Sequence, residues 1–543
     1  MKTKNKYNVL IIALLLCANL LSAQNNAIIS TIRSEVDRNK SGLKIEKLRP
    51  PFFINYSVVD YKALNVQSNL GALSQSSETS QRIGIPNLLV GDYNRNNSNY
   101  RQGAMPRIIS IDDNPQGIAS AIWEDLDKIY KNAAESYEAK VSVIAQQNLE
   151  ADELNLPDLE KTAPANMILE PVKVNMDKNY WEDYAKKSSE ILKKYPEIIN
   201  SSVNVNIINT QVYTYNTENT QLVVPSAYYG LHLNVYTITT DGQELSDDLN
   251  IEHGDFAQMP TLQAFIDTCE SFIQYFIKLK NAPIIDEAYS GPVLFEGMAV
   301  AEPLQTYFFQ SALIANRKPI GGQGGNNTEM MKDKKLISRS LTIKSLSGTE
   351  TYKGKKLYGY YPVDSEGVAP DKELVLVENG VLRNMLNGRT PTKKFQHSNG
   401  HMRISFNYMA PRIIPGNVLL SSNVTYSPAD LKNKLIAAAK EEDLDYAYIV
   451  RRYRGNGPLS IYRIYVADGR EELLRGAILP DFNVKAYKRV LGASSQEFIY
   501  NTNAFGRFTT YIVPSGLLFE ELEVSRNNNI TFKKPFIVPQ PVE

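Results

Sequence analysis

Apolar residues change their spacing partway along this chain, and that change limits the folds that the sequence can adopt. Before Pro283, four segments repeat apolar residues at every third or fourth position and predict helices over about 24–39, 112–149, 177–195 and 261–280. Alternating segments rich in Val, Ile and Tyr predict strands between them. Beyond Pro283 the strand pattern dominates, and one helix is expected near Pro428–Glu441. The predicted class is therefore α+β.

The same change of pattern predicts two domains. Residues 24–285 are expected to form an N-terminal α/β-type domain with long helices, and residues 286–543 a C-terminal, strand-rich and barrel-like domain. Asn379-Gly380 separates two apolar runs and favours a tight hairpin. Pro86 places its strand at a sheet edge. The acidic, proline-interrupted segment Glu150–Thr162 predicts a surface loop.

Residues 1–23 have the pattern of an export signal. Lys2, Lys4 and Lys6 precede an apolar core, and Ala23 supplies the small residue expected at a cleavage site. A lipid anchor at Cys17 and an uncleaved anchor are the alternatives. No later stretch is apolar enough for a membrane span, which needs about 20 residues. The mature chain is therefore expected in the periplasm or cell envelope, or secreted, without a membrane span.

Charge and cysteine content exclude some partners and cross-links. The sequence has 59 Lys and Arg residues and 59 Asp and Glu residues, so its formal net charge is zero and no nucleic-acid partner is expected. Cys17 leaves with the export signal, and Cys269 then has no cysteine to pair with. Cys269 falls on the apolar face of the predicted helix 261–280, so a buried thiol is expected.

Several sequence blocks occur in a recognisable order. Residues 286–309 read DEAYSGPVLFEGMAVAEPLQTYFF, and residues 359–402 contain the acidic turn Asp364-Ser365-Glu366-Gly367, a hairpin and a glycine-containing loop. Shorter segments at 49–54, 91–93 and 123–131 precede them. Together these blocks, which extend over nearly all of the mature chain, resemble the TldD/PmbA metallopeptidase family. The closest resemblance is to its exported, PmbA/TldE-like branch that lacks the zinc motif.

The resemblance also shows what this chain lacks. Catalytic members of the family carry His-Glu-x-x-x-His on the helix after the Gly-Pro-Val-Leu-like strand, and typically a cysteine ligand from a late loop. Here Gln305 and Gln310 take the histidine positions and Thr306 the glutamate position, with Glu302 one turn earlier. An amide is a poor zinc ligand, and a threonine is no general base at neutral pH. These four residues are expected to line a degenerate site, without catalytic or metal-binding residues.

The remaining histidines offer one alternative site. His397 and His401 have the four-residue spacing that favours metal binding on a helix, but Ser398-Asn399-Gly400 between them predicts a loop. With a carboxylate such as Glu366, they are the candidates for a relocated metal site. His253 is expected to have a structural role, and His232, in an alternating strand, is expected to face solvent or its neighbour. The glycine-rich segment 321–325 predicts a flexible loop after the degenerate-site helix.

The resemblance implies a family of paired subunits, one with zinc and one without, that hold an unfolded peptide as an added strand. The chain is accordingly predicted to be a non-catalytic or partner-dependent subunit without a cofactor of its own. Its expected partners are unfolded peptide and, in a homo- or hetero-oligomer, a zinc-containing homologue. Two alternatives stay open: an active hydrolase with the relocated metal site, and an envelope scaffold that binds peptides or glycans. The excess of tyrosine (32) over phenylalanine (18) fits the scaffold.

Overall fold

The computed structural model describes residues 27–100, 105–146, 151–320, 327–453, 459–530 and 532–533. The predicted export signal (1–23) and the glycine-rich loop (321–325) lie outside these described residues. In the described chain, no helix combines the length and the apolar content that a membrane span requires.

The predicted helices are all present, with small shifts at their ends. The helices are α1 (27–42), α2 (Pro115–Gln146), α3 (Ala151–Leu154), α4 (Lys178–Ser189), α5 (Leu262–Asn281), α6 (Met298–Pro303) and α7 (Pro428–Glu441). The short α3 is not among the predicted helices, because it lies in the segment Glu150–Thr162 that the sequence predicts to be a loop. The side chains of Asp177, Thr261 and Ser427 accept backbone N–H groups in the first turns of α4, α5 and α7, which explains where these helices begin. A π-helical segment, Leu304–Ala312, continues α6 directly.

The first sheet contains β1 (Pro51–Asn69), β2 (Ala72–Val90), β3 (Arg107–Ile109), β4 (Asn166–Ile168), β5 (Asn200–Asn216), β6 (Gln221–Ile238) and β7 (Glu244–His253). Its order is β3-β2-β1-β5-β6-β4, and β7 also pairs with β6. All neighbours are antiparallel except β4 and β6. Val203, Val205 and Ile207 alternate with polar residues and pack beneath α4 and α5. Because β3 covers only the stretch Arg82–Gly84 of β2, Pro86 lies at an open part of that edge, as predicted.

The strands of the second half form two larger sheets and two small hairpins. The strands are β8 (Tyr289–Glu296), β9 (Leu341–Ser345), β10 (Thr351–Tyr352), β11 (Lys355–Lys356), β12 (Leu374–Glu378), β13 (Val381–Leu382), β14 (Met402–Ser405), β15 (Ala410–Ile413), β16 (Asn417–Ser422), β17 (Thr425–Tyr426), β18 (Tyr446–Arg452), β19 (Ser460–Tyr465), β20 (Glu471–Leu474), β21 (Ala477–Ile478), β22 (Val490–Ser494), β23 (Glu497–Thr502), β24 (Thr509–Pro514) and β25 (Gly516–Arg526). One sheet has the order β13-β12-β9-β16-β24-β23, and the other β17-β22-β25-β8-β18-β19-β20, with β21 on β25. The hairpins are β10-β11 and β14-β15.

The α+β class and the long helices of the first half are confirmed, but the barrel-like description of the second half is wrong. Among the described strands, each large sheet runs between two edge strands and does not close. The two sheets instead share one apolar core, which Phe308 and Phe309 of the helical segment 298–312 help to fill. The hairpin at Asn379-Gly380 is confirmed, with φ angles of 44° and 77°. The division between residues 285 and 286 stays a prediction.

Cys269 has the buried position that the sequence predicted. Its side chain is fully buried on α5, beside Phe265 and Ile273 in the core under the first sheet. Burial raises the pKa of the thiol to about 12, because the thiolate would lose its solvation.

We expect Cys269 in the native protein to react with a thiol reagent at pH 8 at least 100-fold more slowly than in urea-unfolded protein, since the thiolate is the reacting species and native Cys269 is both protonated and inaccessible. The measurement is the rate of absorbance change with a chromogenic disulfide reagent. Equal rates in the two states would contradict the buried position.

Candidate functional site

The degenerate-site helix begins immediately after β8. Gly297 adopts a φ of 60° between β8 and α6, and its N–H donates to the Ser515 carbonyl (2.9 Å). Pro303 ends α6, and since proline has no N–H to donate, regular α-helical bonding is interrupted there. The chain continues as the π-helical segment, in which the Leu313 N–H donates to the Phe308 carbonyl five residues earlier (2.8 Å). Such wide turns are frequent at functional sites.

The wide turn determines how the predicted residues are placed. Gln305 and Thr306 are half-buried and Gln310 is exposed, whereas the apolar residues of the segment pack into the core. Because a π-helix pairs residue i with residue i+5, Gln305 and Gln310 are one turn apart on the less buried side. The two positions that histidines occupy in catalytic members of the resembled family are therefore spaced by one π-helical turn.

Glu302 and Thr306 have bonding roles within the scaffold. The Glu302 carboxylate accepts the Tyr453 N–H at the end of β18 (2.6 Å), and the Thr306 hydroxyl donates to the Glu302 carbonyl (3.3 Å). The hydroxyls of Tyr307 and Tyr453 are hydrogen-bonded to each other. Glu302 thus attaches the helix to the neighbouring strand.

The candidates for a relocated metal site have different surroundings. His397 is 85% exposed and its Nδ1 contacts a Glu160 carboxylate oxygen (2.8 Å). His401 is fully buried, with Asn399 at Nδ1 and the hydroxyls of Ser345 and Ser347 at Nε2. Burial lowers the pKa of His401 to about 3, so it is neutral at physiological pH. Within the described ranges, no three His, Cys, Asp or Glu side chains are grouped as metal ligands would be.

A segment that the sequence placed on the surface instead connects the two halves. Asp158, predicted to lie in an exposed loop, has only 3% of its side chain exposed. One of its carboxylate oxygens binds Lys140 of α2 (2.6 Å) and the other binds Arg317 (3.2 Å), which follows the π-helical segment. Burial lowers the pKa of Lys140, and the Asp158 charge opposes that shift. The surface-loop prediction was wrong because two distant cations neutralise this carboxylate.

Arg389 makes a second connection next to the first. Its guanidinium, 1% exposed, pairs with Glu218 at the β5–β6 turn (2.8 Å) and donates to the Glu160 carbonyl (2.8 Å). Its backbone N–H donates to Glu366 (2.8 Å), so the acidic turn is held against the same residue. Sequence patterns gave no signal for Arg389, since its partners are far away along the chain.

A cavity of about 300 Å³ lies beside Arg389. Residues of the first sheet form one side, and residues of the acidic turn and of the β14–β15 hairpin form the other. The lining residues are Phe53, Asn55, Ser57, Ile85, Pro86, Asn87, Pro106, Leu159, Asn216, Ser365, Glu366, Arg389, Met402, Met409, Ala410 and Pro411. The sequence analysis missed this cavity because its walls come from both halves of the chain.

The acidic turn has unusual proton affinity. Asp364 accepts three backbone N–H groups, from Glu366, Val368 and Met402. Burial and the neighbouring Glu366 nevertheless raise the pKa of Asp364 to about 8. Burial also raises the pKa of Glu366, while Arg389 opposes the shift. The cavity therefore has a carboxyl group on its wall that takes up a proton more readily than an exposed one.

The second half of the chain matches a known family model. The model of the PmbA/TldA metallopeptidase C-terminal domain matches residues 288–459, which include the degenerate-site helix, the acidic turn and the cavity loops. This match defines a metallopeptidase-related class of protein. Residues 288–459 therefore match the C-terminal domain of the TldD/PmbA family. No curated protein matches the sequence.

Solved structures share the fold over nearly the whole chain. A proposed modulator of a DNA gyrase from Thermotoga maritima has a TM-score of 0.58 at 15% identity, covering 91% of this chain and 100% of its own. TldE from Thermococcus kodakarensis has a TM-score of 0.55 at 14% identity, with coverages of 91% and 100%. A proposed modulator of DNA gyrase from Bacteroides thetaiotaomicron has a TM-score of 0.59 at 12% identity, with coverages of 92% and 98%.

The buried ion group predicts a large effect of one substitution. Asp158→Asn leaves Lys140 and Arg317 without their counter-charge, so we expect the free energy of unfolding to fall by about 3 kcal/mol. Urea denaturation followed by circular dichroism measures this change. Asp183→Asn is the control, because Asp183 pairs with Lys187 at the exposed surface of α4 and should cause no measurable change. Equal effects of the two substitutions would contradict the assigned role.

The acidic turn predicts a pH dependence. A carboxyl whose pKa is raised by folding contributes stability that is complete below its unfolded pKa of 4.5 and is lost as pH rises through the folded value. For Asp364, whose pKa rises from 3.8 to about 8, stability should therefore fall as the pH rises from about 4 to about 8. Glu366→Gln removes one of the two carboxyls and should flatten that fall, measured as urea midpoints across the range. The control Glu378→Gln, at an exposed position, should show the same fall of stability with pH as the unaltered chain. An equally steep fall in Glu366→Gln would refute the prediction.

Proposed function

We propose that this chain is an exported TldD/PmbA-type subunit without a zinc centre of its own, which handles unfolded peptides together with a zinc-containing homologue. The observation that carries the proposal is the helical segment 298–312. Its π-helical turn keeps two positions five residues apart on one side, yet those positions hold Gln305 and Gln310. The spacing of the two positions suits a metal-binding helix, but they carry amides instead of imidazoles.

The chemistry of the replaced residues supports a binding role. Without two imidazoles and a carboxylate on this turn, the helix has no group to bind zinc or to activate a water molecule. The amides of Gln305 and Gln310 each offer donors and an acceptor, as a peptide backbone does. The fold shared with TldE from Thermococcus kodakarensis over 91% of the chain supports placing this protein in the PmbA/TldE-like branch.

The first test is the metal content of the purified mature chain by mass spectrometry, before and after zinc loading and desalting. We expect well under one zinc per chain. The variant Gln305→His/Thr306→Glu/Gln310→His should retain more zinc than the unaltered chain, because the π-helical turn holds both imidazoles one turn apart. The control Gln305→His/Thr306→Glu/Ser311→His moves the second imidazole away from that position. It should retain no more zinc than the unaltered chain.

Each outcome has a definite meaning. Near-stoichiometric zinc in the unaltered chain would overturn the zinc-less assignment and return attention to His397 and His401. Equal zinc retention by both triple variants would show that the π-helical turn does not control the geometry. The peptide role is tested by titrating the unaltered chain with a fluorescent unfolded polypeptide, and then adding a homologue with an intact histidine motif. Binding by this chain, with hydrolysis only after the homologue is added, is expected; hydrolysis by the chain alone would refute the proposal.

A further inference from the structure

The cavity beside Arg389 is separate from the degenerate-site helix, since no residue of the segment 298–312 lines it. Its volume of about 300 Å³ is at the lower end of the range for small-ligand pockets. Its lining combines nine apolar residues with seven polar or charged ones. This combination is typical of sites that bind a ligand in one orientation.

Three asparagines form a row across the floor of the cavity. Asn55 of β1 is directly opposite Asn87 of β2 on one side and Asn216 of β5 on the other. Residues paired in this way have Cβ atoms about 5 Å apart, so the three amides are neighbours. Asn216 uses its carbonyl oxygen to accept N–H groups of the β5–β6 turn. The side-chain amides of Asn55 and Asn87 have no hydrogen-bond partner among the described residues, so they are available to a ligand.

The opposite wall supplies apolar surface and one further acceptor. Met402 and Met409 line the cavity together with Phe53 and Ile85. Methionine side chains are flexible and polarisable, so they adapt to ligands of different shape. One carboxylate oxygen of Glu366 binds the Arg389 N–H, and its other oxygen has no hydrogen-bond partner among the described residues.

The electrostatics disfavour anionic ligands. Arg389 is the cationic residue among those that line the cavity, and Glu218 and the Glu160 carbonyl occupy its guanidinium. A carboxylate or phosphate would therefore meet Glu366 without a free cation. A neutral ligand that carries both amide donors and amide acceptors matches the asparagine row, because each side-chain amide can pair with a peptide unit through its N–H and its carbonyl.

We propose that this cavity binds a short, extended peptide segment with small or apolar side chains, through the amides of Asn55 and Asn87 and the apolar wall of Met402 and Met409. The inference rests on the proposed peptide-handling function and adds a second contact to it. A chain held in this cavity and at the degenerate-site helix would be bound at two points. Binding at one point raises the effective concentration at the other, so weak contacts suffice.

The test uses the full mature chain with ¹³C-methyl-labelled methionine and the neutral tripeptide N-acetyl-Ala-Ala-Ala-amide. The signals of Met402 and Met409 are assigned from Met402→Leu and Met409→Leu, and Met330, which is exposed outside the cavity, serves as the internal reference. Saturable shifts of the Met402 and Met409 signals without a shift of Met330 are expected. Absence of these shifts would overturn the inference, as would shifts caused by chitotriose and not by the tripeptide.

Two double variants distinguish loss of the cavity's binding groups from a general effect of substituting asparagines in the sheet. Asn55→Leu/Asn87→Leu removes both free amides and should weaken tripeptide binding at least tenfold. Asn65→Leu/Asn206→Leu is the matched control, because these residues are also cross-strand partners on the same face of the sheet but lie outside the cavity. Thermal melting checks that both variants fold. Equal weakening in the two variants would overturn the assigned site.

The outcomes distinguish this inference from the proposed function. If the unfolded polypeptide binds the unaltered chain and binds Asn55→Leu/Asn87→Leu equally well, the cavity assignment fails and the peptide-handling role stands. If no peptide of any length binds, both fail. Polypeptide binding that is weakened in the cavity variant and retained in the control supports both.

Discussion

The hydrogen bonds and the ion pair of the buried Arg389 determine the shape of the cavity that we assign to peptide binding. Arg389 pairs with Glu218 of the first sheet and with the Glu160 carbonyl, and its own N–H fixes Glu366. Charge-assisted bonds of this kind are strongly directional, so they set the distance between the first sheet and the acidic turn. The cavity is the space that remains between them. Asp158, two residues before Glu160, pairs with Lys140 and Arg317 and so holds the same stretch of chain in place.

These connections also relate the cavity to the degenerate-site helix. After the π-helical segment, the Ala315 N–H donates to the Leu386 carbonyl (2.9 Å), and the Leu386 N–H donates to the Leu313 carbonyl (2.8 Å). Leu386 is three residues before Arg389. The end of the helix and the loop that bears Arg389 are therefore joined by backbone hydrogen bonds. These hydrogen bonds connect the two surfaces that we assign to peptide binding.

The sequence predicted the features that depend on local patterns. The helices at Lys178–Ser189 and Leu262–Asn281, the Asn379-Gly380 hairpin and the buried Cys269 all follow from residue spacing or turn chemistry. The family resemblance also located the helix that carries Gln305 and Gln310. Features that depend on distant partners could not be predicted in this way. Asp158 looked exposed because its cations are 18 and 159 residues away, and the asparagine row is visible only once the register of three strands is known.

The π-helical segment has a further consequence for how this protein can change over evolutionary time. A π turn contains one residue more than an α turn, and each residue of an α-helix rotates the chain by about 100°. Deleting a single residue from Leu304–Ala312 would restore α-helical bonding but would turn Leu313 away from Leu386. Point substitutions on the exposed side carry no such cost. Lineages can therefore lose or regain the residues of this turn by substitution far more easily than they can alter its length.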